Sequence, residues 1–196
     1  MKFEKTKEQI TLHGLGFLQV ILPNNQRLHV WHPDLPKRKC FEHSSIHDHR
    51  FGFISKVLVG TQINQLYREL QPNSVDYLNI GEETHCAYIH EGPRTKFGNR
   101  PWTIDYYCAI QKIGVPRIVN AGEQYEMNPY MLHSTRCEGI CVTLMTKTHE
   151  ENKGAHSYCD IDVEPDVNFN RKQWSQKQLW DVFVDAMQSV QLGEVA

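Results

Sequence analysis

Residues 43–60 read "HSSIHDHRFGFISKVLVG", with His43, His47 and His49 inside seven positions and an apolar run behind them. Alternate residues of a β-strand point to the same face. His47 and His49 therefore share a face with Phe51, Phe53, Ser55, Val57 and Val59. The other face takes Asp48, Arg50, Gly52 and Lys56, with Ile54 and Leu58 mixed in. The paired histidines thus lie on the apolar, inward side, where neutral imidazoles need partners. A shared metal ion is one such partner, and ordinary hydrogen bonds at a strand entrance are the other.

The flanking sequence is rich in short strands. Residues 17–33, "FLQVILPNNQRLHVWHP", predict a hairpin turning at Pro23, Asn24 and Asn25. "TQINQLYREL" continues the histidine strand beyond Gly60, and "QPNS" then turns the chain. "THCAYIH" and "WTIDYYCAIQKIG" predict further strands on either side of the loop "EGPRTKFGNRP". Residues 116–148 predict two or three more around turns at Gly122 and Gly139. Such spacing favours a β-sandwich or barrel. Residues 151–170 carry little periodicity and read as an irregular arm. Leu179, Trp180, Phe183, Val184, Met187 and Val190 then recur at helical spacing, with Ser175 as N-cap and Gly193 just past the end. This C-terminal helix is expected to pack on the β-domain, with a dimer contact as the alternative, which gives a domain over 1–150 and an arm plus helix over 151–196.

Bulk properties exclude several classes. The chain has 196 residues, with 21 Lys plus Arg against 23 Asp plus Glu. A charge so near balance predicts no nucleic-acid partner and no attraction to an anionic membrane. No apolar run approaches the roughly 18 residues of a membrane helix. The charged N-terminus lacks the apolar centre of a signal peptide. The six cysteines include no CxxC pair, which disfavours a zinc knuckle; with no export signal expected, they read as reduced thiols in a cytoplasmic setting.

Two spacings carry a resemblance. Gly60 lies eleven residues after His49, and Gly122 precedes His133 by eleven. These segments resemble the two signature motifs of the cupin superfamily. His47 and His49 stand at the histidines of the first motif and Gly60 at its closing glycine. Gly122 and His133 stand at the opening glycine and the histidine of the second. There are departures: Phe53 replaces the acidic ligand, Phe41 the first opening glycine, Tyr130 the turn glycine and Cys137 the final asparagine. Asn128 stands at the motif's proline, with Pro129 one step late. The resemblance implies a mainly β, cupin-type double-stranded β-helix, a jelly-roll barrel with a C-terminal α-helix.

It also implies a metal centre of His47, His49 and His133, similar to the three-histidine face of thiol dioxygenases. Three neutral donors leave positions open for dioxygen and substrate. The expected cofactor is a divalent metal, Fe(II) first, with Zn, Mn or Ni as alternatives. The expected activity is oxygenation of a small molecule. A cupin isomerase or epimerase and a non-catalytic ligand-binding or regulatory cupin are the rival readings. Cupins commonly pair through their sheets, so a homodimer is compatible with the resemblance. Tyr67 or Arg68 would suit orienting a substrate, but a bulge at Gly60 leaves open which face of residues 61–70 lines the pocket. His43 reads as a loop residue; His85 and His90 have opposite parity, so one of them at most faces the pocket. His13, His29 and His32 read as surface or hairpin residues.

Overall fold

A computed structural model describes residues 10–193, with residues 189–193 described by backbone alone. The N-terminal residues read against a signal peptide, and the side chain of Val190, lie outside the described part. The fold is mainly β, with a helix at the C-terminal end. Its hairpin comprises β2 (Phe17–Ile21) and β3 (Gln26–Trp31), with β1 (Ile10–His13) alongside. Asn24 and Asn25 both have φ of 59°, the left-handed pair that a tight hairpin turn requires.

Two long strands organise everything else. β5 (Phe51–Glu69) and β10 (His133–Glu150) run antiparallel along most of their length. Their register breaks between Glu138 and Val142, opposite Gly60, and both strands bend there. The ladder thus has two arms. On one arm, the outer half of β10 pairs with β3, and β5 pairs with β9 (Gln124–Met127). On the other, β5 pairs with β8 (Ile110–Asn120), and β10 meets β4 (Ile46–His47) at His133. From β4 the order continues through β11 (Ala155–Asp160) and β6 (His85–His90) to β7 (Trp102–Cys108). Hydrogen bonding does not close this antiparallel sheet into a barrel, so the expected closure is not found.

Gly60 is required at the bend. Its φ is 73°, and a Cβ there would meet the Ile140 carbonyl oxygen at 2.3 Å. A side chain would bring both a left-handed backbone penalty and a clash with main chain, which cannot swing aside.

Among the described residues, burial separates three cores, the smallest of them Ile46, Ala87, Cys108, Ile110 and Tyr158 beside β4 and β11. Phe51, Phe53, Val57, Val119, Tyr125, Met127, Cys141 and Met145 pack together between the arms, with Leu66 and Cys137 against them. Ile10, Leu12, Leu18, Val20, Leu28 and Val30 form another core, beneath α2 (Gln176–Gly193). Leu179, Trp180, Phe183 and Ala186 are its contribution to that core, whereas Val184 is exposed. Ser175 caps the helix reciprocally: its Oγ accepts from the Gln178 amide, and its own amide donates to Gln178 Oε1. Gly193 is the last helical residue and not the one beyond.

Residues 151–170 depart from the irregular arm expected of them. Strand β11 lies inside the sheet between β4 and β6, with Ser157, Tyr158 and Cys159 all buried. A strand covered on both faces shows no alternation, so periodicity could not reveal it. A short helix, α1 (Val75–Ile80), follows the predicted turn and is capped by Ser74 Oγ. The cysteines of the described residues are all free. No helix among them is long and apolar enough to cross a membrane.

The bend gives a direct test. Gly60→Ala should lower unfolding stability by about 1–3 kcal/mol in chemical denaturation. Gly139→Ala, also at positive φ but with nothing within 4 Å of the new Cβ, should cost less. Equal losses would mean that the Ile140 carbonyl does not constrain the crossing.

Candidate metal centre

His47 and His133 are cross-strand partners, because β4 and β10 pair at these residues. His49 follows two residues after His47 and returns to the same side. Its segment is tethered on both flanks. The Asp48 amide donates to the His156 carbonyl, and the Tyr130 amide donates to the His49 carbonyl. One potential ligand nitrogen from each of the three histidines lies within 4.8 Å of the others. Ring centroids stand 4.4 Å apart for His47 and His133, 4.9 Å for His47 and His49, and 5.1 Å for His49 and His133. Imidazole–metal bonds of about 2 Å bring nitrogens sharing one ion to within about 4 Å of each other, so the three would have to draw closer to share one.

Two of the three rings are oriented by hydrogen bonds to main-chain carbonyls. His47 Nδ1 lies 2.9 Å from the Ser45 carbonyl oxygen, and His133 Nδ1 lies 2.9 Å from that of Met131. A carbonyl only accepts, so each Nδ1 carries the proton and each Nε2 keeps its lone pair. Fixing the tautomer through the second nitrogen is the usual support of a ligating histidine. Burial pushes all three imidazoles below their ordinary range, His133 to about 3. The neighbouring histidines add to the effect for His49 and His133.

The Met131 carbonyl is presented by a turn in which Tyr130 has φ of 59°. That is the glycine-like conformation, adopted at the position of the second motif's turn glycine. Phe53 stands beside the triad, its ring 5.4 Å from His49 and 6.4 Å from His133.

The triad borders two cavities. The inner one, about 120 Å³, lies between the arms and is walled by Phe17, Trp31, Phe51, Phe53, Tyr125 and Met145. His29 Nε2, Trp31 Nε1 and Thr143 Oγ1 line it without a hydrogen-bond partner among the described residues. The outer one, about 200 Å³, is lined by Arg38, Arg94, Arg100, Arg171, Trp102 and His90. His47 and His49 belong to both linings.

The other sequence candidates fall elsewhere. Gln62 lines the inner cavity, so its parity faces inward at the start of residues 61–70, before the register shift between Asn64 and Leu66. Tyr67 is on the opposite face, bonded to Ser134 Oγ at 3.0 Å and lining a separate cavity with His43 and His85. Arg68 is exposed and engaged by Asp76 and Gln111. Neither Tyr67 nor Arg68 is brought to the triad. His90 faces the outer cavity and His85 does not, as their opposite parity requires.

His13 and His29 correct the sequence reading: they are part-buried and line the inner cavity. Their strands give Leu12, Leu28 and Val30 to the helix-covered core, so the opposite face looked like a solvent face. His13 stacks on Phe17 at 4.3 Å, and burial lowers His29 to about 3. His32 bonds Asp185 of α2.

No protein-family model matches the chain, and no curated protein matches it.

The depressed histidines set a pH dependence. His13, His29, His47, His49, His90 and His133 are all held below 6.5 in the fold, mainly by burial. Between about 6.5 and 3 the unfolded chain binds protons that the folded chain refuses, so stability falls as pH falls through that window. His156, raised by Asp48 and Asp105, acts with the opposite sign. Chelator-treated protein should therefore melt progressively lower from pH 6.5 to pH 4, and His29→Gln should flatten the slope. A flat profile would show that these imidazoles are not buried neutral.

Proposed function

We propose that this chain is a metal-dependent, cupin-type oxygenase. His47, His49 and His133 hold a divalent ion, Fe(II) first, and the substrate is a small molecule. The observation that supports this reading is the pair of Nδ1-to-carbonyl bonds that leave the Nε2 lone pairs of His47 and His133 as donors in one cluster with His49. The unpartnered His29, Trp31 and Thr143 atoms add support, since buried polar atoms facing a cavity suit a bound polar molecule. The cupin-type reading draws on the two bent strands, Gly60 at the crossing and the glycine-like Tyr130.

A bound ion of this class supplies Lewis-acid or redox chemistry at its open positions. The chain's own residues do the rest. Phe51, Phe53, Tyr125 and Met145 exclude water from the inner side, which strengthens electrostatic interactions there. The Ser45 and Met131 carbonyls hold the ligand protons on Nδ1. Asp48 fastens the ligand segment to β11 by accepting from the His156 amide at 2.7 Å.

Untagged protein prepared without chelator should contain about one iron per chain and consume oxygen with its substrate. Chelation should lower the melting temperature by roughly 5–10 °C, the effect of losing a ligand present well above its dissociation constant. His133→Ala should abolish that difference whatever its own effect on melting. A melting curve indifferent to chelator in the wild type would overturn the metal reading.

Phe53→Glu tests the replaced ligand. A carboxylate there should tighten divalent-metal binding in equilibrium dialysis and suppress oxygen uptake by filling an open position. Unchanged affinity in the folded variant would place Phe53 away from the ion.

A further inference from the structure

We infer that the outer cavity is an anion subsite, in which Arg94, Arg100 and Arg171 hold a carboxylate or phosphate group of the small molecule. This rests on the proposed metal centre for what happens beside the anion, but not for the binding of the anion itself.

Four guanidinium groups, those of Arg38, Arg94, Arg100 and Arg171, line one cavity of about 200 Å³. Gathering like charges is unfavourable unless an anion joins them. No carboxylate among the described residues forms an ion pair with any of the four. Asp48 is the one acidic residue in the lining among the described residues, and His156 occupies it through both its amide and its ring. Arg38 is committed to structure. It is almost fully buried, donates to the Asp166 carbonyl and stacks over Trp102 at 4.6 Å.

The other three are anchored yet retain donors. Arg94 Nη1 donates to the Gly98 carbonyl at 2.6 Å, Arg100 Nη1 to that of Gly92 at 2.7 Å, and Arg171 Nε to that of Leu12 at 2.7 Å. A guanidinium has five N–H donors in a planar fork that matches carboxylate and phosphate oxygens. Each of the three therefore keeps most of its fork for a ligand. Burial and the charges of Arg94, Arg38 and Arg27 lower Arg171 to about 10, which leaves it cationic at neutral pH.

The arrangement is set before any ligand arrives. Arg94 and Arg100 flank a loop closed by Thr95 and Asn99, and the Arg171 amide donates to the Phe97 carbonyl of that loop. Asn99, buried, ties the same loop to the Phe169 carbonyl. Holding donors in place reduces the ordering cost of binding. An anion seated here lies in the cavity that His47 and His49 also line, so the rest of the molecule extends past the triad toward the aromatic inner cavity.

The test is calorimetric titration of the full chain after chelation, at low salt because exposed charges are screened. Inorganic phosphate and benzoate are the anionic probes, and benzyl alcohol is the uncharged control. At least one anion should bind measurably more tightly than benzyl alcohol. Arg94→Gln and Arg100→Gln, both at exposed positions, should each weaken it by about tenfold, in line with loss of a charge-assisted hydrogen bond. Arg94→Lys should recover part of the affinity. Preference for phosphate assigns a phosphate ester, and preference for benzoate a carboxylic acid. Anions that bind no better than benzyl alcohol, or that bind the Gln variants as well as wild type, overturn the inference. Metal content is measured separately. Anion binding by a chain that takes up no metal would sink the oxygenase reading and leave this one standing; metal uptake without anion binding would do the reverse.

Discussion

The pairing of β5 with β10 is the constraint on which the rest of the molecule depends. These strands run antiparallel through a shared bend, and their register decides what every neighbouring strand can meet. A shift by one residue would turn His133 away from His47 and expose the apolar face of Phe51, Phe53 and Val57. Gly60 pins that register, because only a residue without a Cβ lets the Ile140 carbonyl approach so closely. The bend also separates the ladder into two arms, and the space between them becomes both the main core and the inner cavity.

Burial and charge divide the work around the triad. On the inner side, aromatic walls and low dielectric keep the imidazoles neutral, the state in which a nitrogen offers its lone pair. On the outer side, four guanidinium groups gather, and no carboxylate among the described residues forms an ion pair with them. The two environments meet at His47 and His49, so a molecule bridging them would present an anionic end and a less polar end on either side of the proposed ion. Cationic neighbours also discourage protonation: Arg38 contributes to the lowered value of His90, after burial itself.

The C-terminal helix has an indirect part in this. By covering Leu12, Leu28 and Val30 from outside, α2 allows β1 and β3 to turn their other faces toward the cavity. Without that cover these strands would have to bury their apolar residues between the arms, where His13, His29 and Trp31 now stand. The helix is thus packing in kind, yet it decides which side chains surround the site.

Local pattern was enough for some of this. Period-two alternation placed His47, His49 and Phe53 on one inward face, and the Asn-Asn pair marked the hairpin turn. Helical spacing with the Ser175 cap located α2, and the opposite parity of His85 and His90 separated them correctly. These features depend on neighbours in sequence, and so the residues themselves carry them. Residues buried on both sides were not legible, because alternation appears only when one face meets solvent. That hid β11, and it made His13 and His29 look like surface residues. The inward parity of Gln62 was equally hidden, since the bend at Gly60 interrupts the phase. The arginine cavity draws Arg38, Arg94, Arg100 and Arg171 from separate segments, and nothing local links them. The sequence alone determined which residues alternate and turn; the tertiary structure decided which faces meet, because long-range register and two-sided burial set those contacts.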